Sequence, residues 1–303
     1  MSIPFDDIDI STETIIGKTN CKININELFA ILPVVPYRVI PKKRGRRPKN
    51  EKREEPQKLN NGDIITIKMG DNIRGVELKT KKKTSNNNYF RNSLTIVMSC
   101  DDKFINFKIT KNGKFQFTGC KNDRHSHECL SYVIAHINAC KRETTKKILS
   151  LPLNTSFEVI YLTVMANINF SLGFCVNKEN LDNYINKETD YYSLLETTFG
   201  YTGVNIKIPL PNLNKVPVTK MVLTNEQTNE WAKHHLTYEN YTALLDEKEK
   251  QKEVEKNHYN TFLIFQSGNV ILSSPHKECM RETYFEFLKI IEGCRDVIEE
   301  KIG

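Results

Sequence analysis

Within ten positions the chain carries Cys120, His125, His127 and Cys129, sulfur and imidazole groups of the kind zinc takes. Their spacing, Cys-x4-His-x-His-x-Cys, is not a common structural zinc pattern. No paired carboxylates and no His-x3-His pair accompany it, so hydrolytic chemistry lacks its general acid and base. The chain therefore reads as a non-enzyme without metal or cofactor. A second group is cationic. Eight Lys or Arg fall between Lys42 and Arg53, with Arg44, Arg46 and Arg47 at the centre and Gly45 and Pro48 opposing regular structure. Such a run suits phosphate contacts, a nuclear import signal or a solvated charged linker.

The whole chain is consistent with a polyanionic partner. Its 303 residues carry a net charge of +7, which favours nucleic acid. No apolar run reaches the roughly 18 residues of a membrane span. The first residues, Met1 to Thr12, are acidic and polar, unlike a secretory signal. Eight scattered cysteines with no CxxC pair fit reduced thiols inside a cell. The expected location is intracellular, in a nucleus or a viral replication compartment.

The elements that would position these groups come in two copies. Ile109-Thr110-Lys111-Asn112-Gly113-Lys114-Phe115-Gln116-Phe117-Thr118-Gly119 and Ile264-Phe265-Gln266-Ser267-Gly268-Asn269-Val270-Ile271-Leu272-Ser273-Ser274 each read as strand, Gly turn, strand, then amphipathic helix. Gly113 and Gly268 lie 155 positions apart, and an upstream echo places Cys21 and Cys175 154 apart. Two echoes at nearly one offset indicate a duplicated unit. Further strands are expected over 93–99, 104–110, 114–118, 203–208, 261–266 and 269–273. Residues 63–79 read as an inserted hairpin, and 241–256 as a charged helix that is either a solvated arm or a docking site. The expected repeats are 9–148, with a basic linker and hairpin insertion over 36–90, and 155–303, with a charged insertion over 210–258.

Leu263-Ile264-Phe265-Gln266-Ser267-Gly268-Asn269-Val270-Ile271-Leu272-Ser273 resembles the pattern that precedes the long helix in each repeat of the TATA-box-binding protein family. Gly113 to Lys121 matches the end of the same pattern. The Asn- and Lys-rich composition and long insertions are similar to divergent versions encoded by large DNA viruses. The resemblance implies an α+β fold: a two-repeat pseudo-twofold saddle, a curved antiparallel sheet with helices on its convex face. It implies double-stranded DNA as partner, with an A·T-rich promoter minor groove bound and bent by apolar wedges. It also implies recruitment of a transcription-factor-B-like protein and RNA polymerase. A sequence-indifferent architectural DNA-bending protein on the same fold is the alternative.

Carried over position by position, Phe265 falls on one wedge of the second repeat and Tyr201 on its partner. Leu263, Ile271 and Ser273 fall on groove-facing strand positions, and Asn167 on the base-edge asparagine. Strand alternation agrees, because Leu263, Phe265, Ile271 and Ser273 share one face while Ile264, Val270 and Leu272 share the other. The first repeat departs from the family. Thr110 stands where a wedge phenylalanine is expected, on a face with Lys108, Gln116 and Thr118, while Phe115 and Phe117 point to the core. Phe90 and Leu94 are both candidates for the other first-repeat wedge, and Thr12 for the counterpart of Asn167. A single kink, or an altered sequence preference, is the expectation for such a face. Lys42 to Lys49 resembles an AT-hook whose Arg-Gly-Arg core would enter a narrow A·T minor groove.

Overall fold

The computed structural model describes residues 4–39, 57–78, 92–196, 202–210 and 213–300. These form two compact units: Met1–Ile15 with Tyr161–Lys220 and His234–Gly303, and Ile16–Ile160 with Met221–Lys233. We refer to them as the second-repeat and first-repeat units.

In chain order the first repeat runs β1 (Ile10–Thr19), β2 (Lys22–Ile23), α1 (Ile25–Ile31), β3 (Ile64–Met69), β4 (Asn72–Gly75), β5 (Ser93–Cys100), β6 (Lys103–Thr110), β7 (Lys114–Cys120), α2 (Asp123–Asn138), α3 (Arg142–Ile148) and β8 (Leu149–Ser150). Its sheet order is β1-β7-β6-β5-β3-β4. The hairpin read as an insertion is a working part of this sheet, because β3 pairs antiparallel with β5 from Ile64 to Met69. Alternation in β6 and β7 buries Ile105, Phe107, Ile109, Phe115 and Phe117 on one face. The Phe107 and Phe117 rings meet at 5.2 Å, and Phe115 stacks on Phe117 at 5.9 Å. Helix α2 covers these rings with Leu130, Val133, Ile134 and Ile137, all buried. Asn122 caps its start by accepting from the main-chain nitrogen of His125.

The second repeat runs β9 (Glu158–Ser171), α4 (Lys178–Glu188), β10 (Tyr192–Glu196), β11 (Gly203–Pro209), β12 (Pro217–Asn225), β13 (Glu230–Thr237), α5 (Tyr238–Ala243), α6 (Glu247–Val254), β14 (Tyr259–Phe265), β15 (Asn269–Ser274), α7 (Arg281–Gly293) and α8 (Arg295–Ile298). Its strands are ordered β10-β11-β14-β15-β9. Position for position, this is the first-repeat order β3-β5-β6-β7-β1, so one topology is used twice. The core holds Phe170, Val204, Ile206, Phe262, Ile264, Val270, Leu272, Tyr284 and Phe287. Phe262 stacks on Phe287 with ring centres 4.1 Å apart.

The charged insertion differs from the single helix expected over 241–256. It contains the β12–β13 hairpin and two short helices, broken at Leu244 to Asp246, where Asp246 caps α6 through the nitrogen of Glu249. The tip of the hairpin belongs to the first-repeat unit. There the Trp231 ring meets His127 at 5.1 Å and Phe157 at 5.9 Å, and Asn229 donates to Ser131 Oγ at 2.7 Å. No helix among the described residues is long and apolar enough to cross a membrane.

Candidate nucleic-acid interface

In each unit one strand face is buried under helices and the other is more open, although Thr66, Ser93 and Val97 on the first-repeat open side are themselves buried. In the second-repeat unit the open face is set by cross-strand register. One row reads Leu194, Asn205, Leu263, Ile271 and Asn169. The next reads Tyr192, Lys207, Thr261, Ser273 and Asn167. Phe265 follows Leu263 on the same face and pairs with Gly203. A Cβ at Gly203 would lie 2.8 Å from Leu263 Cδ1, so the missing side chain lets Leu263 lie across it. Phe265, Asn169, Ser171, Asn269 and Ile271 line a shallow open depression.

Leu263, Phe265, Ile271 and Ser273 are half-buried, while Ile264, Val270, Leu272 and Ser274 beside them are buried. The expected division of faces is therefore the observed one. Asn167 stands opposite Ser273, and its buried Oδ1 has no hydrogen-bond partner among the described residues. Its main-chain oxygen accepts from Ser11 Oγ at 3.1 Å. Tyr201 lies outside the described residues, as do Arg44, Arg46 and Arg47 and the alternative wedge Phe90. At the rim, Lys207 Nζ sits 5.9 Å from the Tyr259 ring centre.

The first-repeat face has the same register and different chemistry. Its rows read Lys68, Thr95, Lys108, Gln116 and Thr66, Val97, Asn106, Thr118, with Thr110 opposite Ser93. By position, Lys108 replaces Leu263, Gln116 replaces Ile271, and Thr110 replaces Phe265. No carboxylate stands in these rows. Thr118 Oγ1 donates to the Asn106 oxygen at 2.9 Å, and Thr110 Oγ1 accepts from the Lys114 nitrogen at 3.2 Å. Gln116 is exposed and makes no hydrogen bond among the described residues. Leu94, the other wedge candidate, is fully buried and belongs to the core, since its place in β5 alternates with open-face Thr95.

Two features of the faces escaped the sequence reading. Phe104 is 38% exposed, on the open face of β6, with the Tyr37 ring 5.3 Å away. The base of the basic segment is also fixed, because Gln57 donates to Pro36 O at 2.9 Å and accepts from the Arg38 nitrogen. The counterpart of Asn167 needs a correction. Thr19 N donates to Gly113 O and Leu172 N to Gly268 O, and Asn167 lies five residues before Leu172. The same count from Thr19 gives Thr14, not Thr12. The open-face signal was present in the Asn167-Ile168-Asn169-Phe170 alternation, which also marks Asn169.

The Cys/His cluster does not converge. His125 Nδ1 accepts from the Lys121 nitrogen at 3.2 Å and its Nε2 lies 3.5 Å from Asp101. His127 faces Trp231. The pKa of the free Cys129 thiol is pushed up by its hydrogen bond with the Cys100 thiol and by burial. Among the described residues the ligand-type atoms that do gather are those of Cys100, Asp101 and Glu128, where Arg124 already pairs with both carboxylates and the Cys100 thiol donates to Glu128.

No protein-family model matches the chain. "Uncharacterized protein 335L" of Invertebrate iridescent virus 6 is 28% identical over 221 residues, 70% of this chain and 64% of that protein. A "TATA-box-binding protein-like" protein of Acanthamoeba polyphaga mimivirus is 29% identical over 174 residues, 49% of this chain and 47% of that protein. The chain thus spans less than two thirds of either relative. A solved Methanococcus jannaschii TBP gives a TM-score of 0.40 at 11% identity, covering 94% of this chain and 98% of that one. The chain is similar to a TATA-box-binding protein-like protein of a mimivirus.

Proposed function

We propose that the chain is a DNA-binding transcription initiation factor that lays its open strand faces on the minor groove. The observation that carries this is the second-repeat face: Leu263, Ile271 and Phe265 in register with Asn167, Asn169 and Asn205. The apolar and amide groups of these rows suit a groove edge whose A·T pairs show only acceptors. Phe265, at the end of β14 beside an open depression, is placed to wedge between base steps and kink the duplex.

On this reading Leu263, Ile271 and Ser273 contact the groove floor, Asn167 donates to base edges, and Tyr201 serves as the second wedge. Lys108, Thr110, Gln116 and Thr118 form the first-repeat contact surface. Arg44, Arg46 and Arg47 add phosphate or minor-groove contacts. Recruitment of a transcription-factor-B-like protein and RNA polymerase follows from the family resemblance.

Fluorescence anisotropy on A·T-rich and G·C-rich duplexes at fixed salt tests the reading. Tighter A·T binding, weakened by Asn167→Ala and by Ile271→Lys, is the expected result. Equal affinity for every sequence and every variant would move the chain to sequence-indifferent architectural binding.

A further inference from the structure

At two equivalent positions the open faces offer different hydrogen-bonding chemistry to a base edge. Leu263 and Ile271 present only hydrocarbon. A guanine 2-amino group pressed on them would lose water and gain no acceptor, a penalty that A·T pairs avoid. On the first-repeat face the equivalent positions hold Lys108 and Gln116, paired across β6 and β7. The Gln116 amide is uncommitted and can accept and donate at once.

Thr118 adds directionality. Its hydroxyl hydrogen is spent on the Asn106 main-chain oxygen at 2.9 Å, so only lone pairs face outward. An acceptor-only hydroxyl meets no donor on an A·T edge. It meets one on a G·C edge, the guanine 2-amino group. The flanking acceptors of that edge, guanine N3 and cytosine O2, are matched by the Gln116 amide nitrogen and the Lys108 ammonium. Lys108 stands in these rows, while Lys68 beside it pairs with Glu77 at 3.2 Å.

We infer that the first-repeat face recognises a G·C base pair in the minor groove of double-stranded DNA, the one groove-facing hydrogen of the guanine 2-amino group being shared between Thr118 Oγ1 and Gln116 Oε1. The preferred site is then asymmetric, A·T under the second-repeat face and G·C under the first. This rests on the reading of the open faces as DNA-binding surfaces.

The test is selection from a randomised duplex library, followed by competition at each selected position among G·C, inosine·cytosine and A·T. Inosine·cytosine keeps the pair geometry and lacks the 2-amino group. The expected result is one segment of the site where G·C outcompetes both others by about tenfold. Thr118→Val and Gln116→Leu should each remove that preference while the A·T preference elsewhere in the site persists. Thr118→Ser, which keeps the hydroxyl, should retain it and controls for folding. Saturable binding in which inosine·cytosine and A·T equal or beat G·C at every position overturns the inference and leaves DNA binding standing. Absence of saturable binding to any duplex overturns the DNA-binding reading and the inference with it.

Discussion

The main-chain oxygen of Phe174 occupies the place a Cβ on Gly268 would take, at 2.0 Å. The first repeat has the same arrangement, with Cys21 O at 2.1 Å from a Cβ on Gly113. Both turn glycines have positive φ, +77° and +69°, and both turns receive the loop that follows the first strand of their repeat. This explains why Gly113 and Gly268 keep nearly the same offset as Cys21 and Cys175. The glycines and the cysteine-bearing loops are two sides of one contact.

Gly268→Ala and Gly113→Ala should each lower unfolding free energy by about 2 kcal/mol or more, from the positive φ plus a backbone clash. Gly70 is the control. It also has positive φ, +57°, but nothing lies within 4 Å of its Cβ position, so Gly70→Ala should cost about 1 kcal/mol. Urea unfolding of the three variants measures this. Equal destabilisation of all three would remove the packing argument.

Stability should rise with pH below neutrality. Burial holds His127 below its ordinary value, with Lys233 acting the same way and Glu128 and Asp123 opposing. His136 and His258 are lowered by burial too. Between the depressed folded value and an unfolded value near 6.5, the unfolded chain binds more protons, so stability falls as pH drops through that window. The thermal midpoint should be lower at about pH 5 than at about pH 7.5, and His127→Phe, which keeps a ring against Trp231, should flatten the slope. Trp231 is the chain's single tryptophan and gives a local fluorescence reading of the same event. A pH-independent midpoint would contradict the account.

Chelation should leave the fold unchanged. His125 and His127 have separate neighbours, the Lys121 nitrogen and the Trp231 ring, and Arg124 already balances Asp101 and Glu128. Exhaustive dialysis against EDTA should not move the unfolding midpoint. A drop restored by zinc would show that these side chains rearrange around a metal.

The basic segment should set the salt dependence. Replacing Arg44, Arg46 and Arg47 with alanine should reduce the slope of log affinity against log salt by about 0.9 for every phosphate these arginines neutralise. Sequence preference should survive, since phosphate contacts carry none. An unchanged slope would make the segment a linker.

Much of this fold was legible because strand alternation and the turn glycines speak locally. The opposed faces of Phe115/Phe117 and Gln116/Thr118 could be read from adjacent residues alone. What escaped was non-local. β10, only five residues long, is recognisable by its pairing with β11 from Tyr192 to Glu196. The β12–β13 hairpin has the charge of a solvated loop, and its anchor Trp231 finds His127 about a hundred residues earlier in the chain. Thr14 replaced Thr12 because a two-residue register keeps the same face, so only the hydrogen bonds at Gly113 and Gly268 fix it.

The most direct test is end-labelled FRET on A·T-rich and G·C-rich duplexes at fixed salt, comparing wild type with Phe265→Ala. The account predicts bending of A·T-rich DNA that disappears, or falls to a fraction, in the variant while binding persists. Bending that ignores both sequence and Phe265, or binding with no bending at all, would contradict it.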